Sequence, residues 1–276
     1  GTIRVYNNLE IEVSFNGSDE SLNEYVKTST FSPYFESVYS KVLNYQKDAF
    51  NDHPDLTKYP IKMVVVANRM FEDALQPYLT WKTKKGFKLE VGYTDVIGTT
   101  PAAIKNYIFG IYNASTPEDP APSFVLIVGD NQQVPASATG SASGGVTDLY
   151  YSSVDGDIFP DIYLGRLSAQ TVEQLNNQLE KILYYEKYEF ADPGYLDNVT
   201  LIAGADGTWN PRLGQATVQY GTQNYFNAAH GYNTVNAYLN SYSGCYDPAR
   251  IAVSMINYTA HCSPSSWGDP SLSVSN

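Results

Sequence analysis

Met63-Val64-Val65-Val66-Ala67 is an unbroken apolar run, short enough for a strand and rich in β-branched side chains. A strand of this kind has to be covered on both faces, as in a parallel sheet. Working outward, the texture alternates. Residues 71–84 read as a helix ending at Gly86, and residues 87–93 as a strand. Residues 101–112 read as a helix with proline in its first turn, and Phe124-Val125-Leu126-Ile127-Val128 is a second buried strand, closed by Gly129-Asp130. Strands alternating with helices specify a parallel α/β sheet. A Gly/Ser-rich loop over residues 137–145, then Leu149-Tyr150-Tyr151 and an acidic turn over residues 155–161, lead to a long helix from about 169 to 188. A second series begins with Val199-Thr200-Leu201-Ile202-Ala203, continues in a helix from about 213 to 229, and reaches a strand within residues 251–260. Two α/β halves in sequence are expected.

Upstream the period changes. Ile3 and Val5, then Leu9, Ile11, Val13 and Phe15, alternate on either side of Asn7-Asn8, which predicts a β-hairpin. Two strands make no core by themselves, so the rest of their sheet is expected further upstream. Asn16-Gly17-Ser18-Asp19 breaks the pattern, and Ser32-Pro33 opens an amphipathic stretch through Tyr45 with Tyr34, Val38, Tyr39, Val42 and Leu43 on one side. A polar link over residues 47–59 follows.

The chain has 276 residues, 43% of them apolar, enough to bury a sizeable core. Seventeen basic against 29 acidic side chains give a net charge of −12, which repels phosphate backbones and excludes nucleic acid as the expected partner. No run approaches the roughly 18 apolar residues of a membrane-spanning helix. The two cysteines, Cys245 and Cys262, form neither a disulfide framework nor the paired spacing of a zinc site.

Reactive groups of open α/β sheets collect beyond the carboxyl ends of the strands. Asp206 follows the strand ending at Ala203 through Gly204-Ala205, and His261 follows the strand ending at Ala260. Neighbouring strands would let Asp206 accept the imidazole proton and fix the tautomer of His261. Each residue also has a plainer reading, Asp206 as a helix cap and His261 as a surface or structural histidine. His53 in the polar link and His230 before Gly231 have the plainer reading alone. Asp155-Gly156-Asp157-Ile158-Phe159-Pro160-Asp161 places carboxylates at alternate positions. That suits a hard cation such as Ca²⁺, or equally a solvated acidic turn, and it is not the twelve-residue helix-loop-helix pattern.

The run Asn257-Tyr258-Thr259-Ala260-His261-Cys262-Ser263, followed by Trp267-Gly268-Asp269-Pro270, resembles the histidine motif of the gingipains, most closely of their lysine-specific members. Val146-Thr147-Asp148-Leu149-Tyr150-Tyr151, Leu201-Ile202-Ala203-Gly204-Ala205-Asp206, and Leu79-Thr80-Trp81-Lys82 with Lys85-Gly86-Phe87 share the resemblance, which runs from about residue 48 to the end. It implies a secreted or outer-surface cysteine endopeptidase acting on proteins or peptides. The fold it implies is a caspase-like parallel sheet in two α/β subdomains, preceded by a β-rich prodomain remnant.

By the resemblance, His261 is the general base and Asp206 the residue that orients it. Thr259 and Trp267 bind substrate, and Asp155, Asp157, the Phe159 carbonyl and Asp161 hold Ca²⁺, with Asp161 standing where the family has a glutamate. The nucleophilic cysteine and the acidic residue of the lysine pocket would lie beyond Asn276, in a C-terminal remainder of the catalytic domain. Residues 1–47 would be the end of a prodomain released by cleavage at Lys47–Asp48, with subdomain A at 48–195 and subdomain B at 196–276. The family has glycine after the histidine, where its N–H binds the oxyanion. Here Cys262 offers that N–H without the conformational freedom of glycine. Cys262 is not expected to be the nucleophile, because adjacent residues leaving a strand point to opposite faces. Cys245 is expected to be structural. Two other readings stand beside the endopeptidase: an inactive binding or adhesion module, and a sortase-like transpeptidase of the same fold.

Overall fold

The computed structural model describes residues 8, 10, 12, 14, 16–42, 45, 59–138, 145–157, 159–239, 252–263, 265–268 and 271–273. The chain divides into two compact units, Gly1–Lys187 and Tyr188–Asn276, a boundary slightly earlier than the expected one at 195/196.

The first unit contains helices α1 (Glu20–Thr30) and α2 (Glu36–Tyr39), strand β1 (Ile61–Ala67), helix α3 (Glu72–Lys84) and strand β2 (Phe87–Tyr93). The single turn α4 (Thr94–Ile97), helix α5 (Pro101–Asn113), strands β3 (Phe124–Val128) and β4 (Tyr163–Leu167), and helix α6 (Val172–Glu186) complete it. The four strands form one parallel sheet in the order β2-β1-β3-β4. The apolar run of β1 is explained by its place inside the sheet. Met63, Val65 and Ala67 face Phe71, Leu75 and Tyr78 of the α3 region and Leu175 and Leu179 of α6. Val64 and Val66 face the other way, against Ile104 and Ile108 of α5. Each fully buried side chain of this size contributes roughly 1.5–3 kcal/mol relative to exposure.

One polar cluster fastens α3 to α6. Glu186 accepts from Lys82 Nζ at 2.6 Å, Trp81 Nε1 at 2.9 Å and Lys85 Nζ at 3.1 Å. Burial works against the charge on Glu186, but its donors outweigh that cost and hold the carboxyl below the usual carboxylate range.

Two elements differ from the sequence reading. Residues 20–30 form α1, N-capped by the Asp19 carboxylate on Leu22 N at 3.0 Å, where only a break was expected. The amphipathic stretch after Ser32-Pro33 is a 3-10 turn (Pro33–Phe35) and the short α2, with Val38 and Val42 exposed. The described part of the expected prodomain remnant is therefore helical; most of its expected hairpin lies outside the described residues. This segment packs beneath the amino ends of the strands. The ring of Tyr34 meets Phe124 edge-on at 4.8 Å, Phe35 lies 4.8 Å from Tyr163, and Ser123 Oγ donates to Ser32 Oγ at 2.7 Å.

The second unit contains β5 (Asn198–Ala203), α7 (Gln215–Asn224), β6 (Thr234–Tyr238), β7 (Met255–Thr259), β8 (Cys262–Ser263), β9 (Ser266–Gly268) and β10 (Ser271–Ser273). Strands β6-β5-β7 form a parallel sheet, and β8, β9 and β10 a small antiparallel one. In β5, Val199, Leu201 and Ala203 pack with Val218 of α7, while Ile202 faces Tyr238, Tyr258 and Trp267.

Candidate active site

Strands β5 and β7 are neighbours, and their last residues, Ala203 and Thr259, are paired in register. The chain leaves both strands at the same edge, and Gly204 N donates to Thr259 O at 3.1 Å. Glycine is required there: a Cβ on Gly204 would stand 2.5 Å from Ala260 Cβ. Asp206 and His261 follow from these two ends, and His261 Nε2 lies 3.1 Å from Asp206 Oδ2.

The other oxygen of Asp206, Oδ1, accepts from Trp209 N and Thr208 N, both at 2.7 Å. The capping and partnering readings of Asp206 thus hold together, one oxygen for each. Those two backbone N–H groups, with His261 in addition, stabilise the charged form and hold its carboxyl below the ordinary range. With Nε2 turned to a carboxylate, Nε2 carries the imidazole proton and Nδ1 is the basic nitrogen. His261 is open to solvent, its side chain 73% exposed against 32% for Asp206.

Beside this pair lies a cavity of about 380 Å³, lined by Asp206, Trp209, Leu213, Gly214, Thr259 and His261 among others. Trp209 and Leu213 are more than half exposed and give it an apolar wall. Sequence reasoning missed both. Trp209 caps and Leu213 lies within the stretch Asn210–Gly214, a π-helical turn leading into α7, and irregular backbone leaves no period to read.

Cys262 is a free, exposed cysteine. Its antiparallel partner is Trp267, and Gly268 N donates to His261 O at 2.8 Å, so Cys262–Trp267 is a non-hydrogen-bonded pair. The Cys262 N–H is therefore directed away from β9. Trp267 stacks on Tyr258 with ring centroids 4.3 Å apart and planes 10° from parallel. Thr259 Oγ1 donates to Asn257 Oδ1 at 2.8 Å.

The acidic turn belongs to the first unit. Asp155 Oδ1 accepts from Asp157 N at 3.1 Å, Asp157 Oδ1 from Phe159 N at 2.6 Å, and Asp161 Oδ2 from Val154 N at 2.6 Å. One oxygen of each carboxylate thus shapes the turn. Among the described residues, no group of three or more His, Cys, Asp or Glu side chains is gathered to hold a metal ion. His230 places Nδ1 3.0 Å from Asn227 Oδ1 at the end of a 3-10 turn, the plainer reading given to it. His53, Cys245 and the activation pair Lys47 and Asp48 lie outside the described residues.

A family profile described as Peptidase family C25 matches residues 56–276. A Lys-gingipain of Porphyromonas gingivalis is 47% identical over 276 residues, 99% of this chain and 16% of that protein. The chain thus spans about a sixth of the length of that curated relative. A solved structure described as a protease is 48% identical, with a TM-score of 0.72, over 83% of this chain and 51% of the other. The crystal structure of an Arg-specific cysteine proteinase, gingipain R, matches with a TM-score of 0.63 at 23% identity, over 79% of this chain and 51% of that one, and supports the fold.

Proposed function

The chain belongs to Peptidase family C25, the cysteine peptidases that include the gingipains, and on that premise we propose that its second unit supplies the acid–base half of an endopeptidase centre. The observation that carries the proposal is the His261–Asp206 contact at 3.1 Å at the carboxyl edge of adjacent strands.

His261 Nδ1 takes the proton of a cysteine thiol, which the family resemblance puts beyond Asn276. The thiolate adds to the scissile carbonyl, His261 returns the proton to the leaving amine, and water hydrolyses the acyl-thioester. Asp206 holds the tautomer and balances the imidazolium. The outward N–H of Cys262 is available to the oxyanion, which supports an active centre over an inactive binding module.

Preference for lysine is the finer part of the reading. It is supported by the relation to a Lys-gingipain and by the wall of Trp209 and Leu213, against which an aliphatic stem can lie while its charged end stays polar. Thr259 lines the same pocket.

Ca²⁺ at Asp155, Asp157, the Phe159 carbonyl and Asp161 is part of the reading as well, and since the three carboxylates are not gathered in the structure they would have to draw together around the ion. The donors are all hard oxygens, and each carboxylate commits one oxygen to the turn, so a cation would draw on the others. Release of residues 1–47 at Lys47–Asp48, and action outside the cell, complete it.

The full-length protein tests the centre. Hydrolysis of Lys–X peptides should be lost in His261→Ala. An unchanged rate in that variant would remove the assignment.

A further inference from the structure

The carbonyl oxygen of His261 is held from two sides. Tyr258 Oη donates to it at 2.8 Å, and Gly268 N donates to it at 2.8 Å. The Tyr258 ring is fixed in turn. Its neighbour across the sheet is Ile202, Trp267 lies flat on it, and Tyr238 belongs to the same apolar cluster. This cluster is on the face of the sheet opposite α7, whereas the cavity beside His261 is walled by Trp209 and Leu213 from the α7 side.

His261 lies between β7 and the hairpin β8–β9, two residues after the end of β7 and directly before β8. Nothing in its own φ/ψ period fixes such a position. The hairpin turns back so that β9 delivers both the stacking partner of Tyr258 and the second donor to the carbonyl. Gly268 is also sterically specified, since a Cβ there would stand 2.9 Å from His261 O.

The geometry points to Tyr258 as a positioning residue for the reaction: through its hydroxyl on the His261 carbonyl and its stack on Trp267, it sets where the imidazole stands relative to Asp206. The inference rests on His261 being the general base. Tyr258 touches neither the substrate nor the reacting atoms. Its contribution is to keep the Nε2–Oδ2 contact, and with it the direction of Nδ1, in the reactive arrangement. A small displacement of a catalytic group costs rate far more than binding.

Steady-state kinetics of the full-length protein on a Lys–X peptide test this with Tyr258→Phe, which removes the hydroxyl and leaves the aromatic stack. The expected result is a fall in kcat of about tenfold with KM and melting temperature unchanged. Gly268→Ala, which crowds the same carbonyl from the other side, should lower kcat in the same way. Because both act on one atom, the double variant should lose little more than the worse single variant. Wild-type kcat in Tyr258→Phe, a loss that appears in KM, a fall in kcat that merely tracks melting temperature, or fully multiplicative losses in the double variant would overturn the inference. His261→Ala separates the two levels. If it is inactive while Tyr258→Phe is unimpaired, the brace is wrong and the base assignment stands; if His261→Ala is active, the base assignment itself fails.

Discussion

Ala203 on β5 and Thr259 on β7 stand side by side in a parallel register, and the chain beyond each turns toward the other. Gly204 bridges the two ends through its N–H on Thr259 O. Position 204 therefore works as a hinge pin for the site.

Gly204→Ala should force the strand ends apart, because the new methyl group would meet Ala260 Cβ at 2.5 Å. Overpacking of this kind costs about 1–3 kcal/mol, and the displaced His261 should lower kcat as well. Thermal melts and peptidase assays of the full-length variant check both. A variant with unchanged melting temperature and kcat would show that the close approach is not needed.

Asp206→Asn separates the two duties of that side chain. An asparagine oxygen can still cap Thr208 N and Trp209 N, so stability should hardly change. Its amide would now present a donor to Nε2, which moves the imidazole proton to Nδ1, the nitrogen that has to act as base. By analogy with the serine-protease triad, kcat should fall by about 10³ to 10⁴. Because the carboxyl of Asp206 is held below its ordinary range, it stays ionised well into acid, and acid inactivation of the wild type should not come from its protonation first. An Asp206→Asn enzyme with near-normal kcat would disprove the orienting role.

Much of this arrangement is legible in the sequence alone. β1, β3 and β5 announce themselves as continuous apolar runs because each is flanked on both sides by other strands and covered on its faces. Asp206 and His261 could be found because each follows such a run or its neighbour. Other elements were hidden by tertiary context. β4 reads Tyr163-Leu164-Gly165-Arg166-Leu167, and its arginine argues against a buried strand. Arg166 is accommodated by a two-pronged contact with Asp148, at 2.6 and 2.7 Å, and by the carbonyls of Gly129 and Val134. None of these partners is close in sequence. α1 does carry apolar residues at helical spacing, Leu22, Tyr25 and Val26, behind Asp19 as a cap, but the run is short and all three stay exposed, so it marks no core helix. The brace on His261 depends on a hairpin folding back, which no local pattern encodes.

Glu186 gives a pH dependence with a definite sign. Its folded-state carboxyl titrates below the unfolded one, so it contributes stability above the ordinary glutamate range near pH 4.3, and that contribution is lost as pH falls through the lower, folded value. Glu186→Gln should cost about 2 kcal/mol near neutral pH, since it leaves the largely buried Lys82 ammonium without a charged acceptor. The difference between variant and wild type should shrink in acid. Denaturant melts at pH 7 and pH 3 check this. A gap that stays constant with pH would mean that packing, not charge, is what the substitution disturbs.

Ca²⁺ at the acidic turn makes the last prediction, and the geometry suggests how to isolate it. Asp157 Oδ1 accepts from Phe159 N, so the side chain both shapes the turn and offers charge. In Asp157→Asn the amide oxygen can keep the turn contact while the negative charge is lost. A true calcium site therefore predicts two separate outcomes. In the wild type, Ca²⁺ at a hundred times its dissociation constant should add about 2.7 kcal/mol of stability, a rise of several degrees in melting temperature, reversed by chelator. In Asp157→Asn the calcium-free melting temperature should match that of the wild type, while the calcium-dependent rise should largely disappear. Asp161, shorter than the glutamate of the family, leaves a gap that water can fill, so affinity should increase in Asp161→Glu. Calorimetry and melting curves with and without chelator decide it. A wild-type protein indifferent to millimolar Ca²⁺ would reduce the segment to the solvated acidic turn that its spacing also allowed.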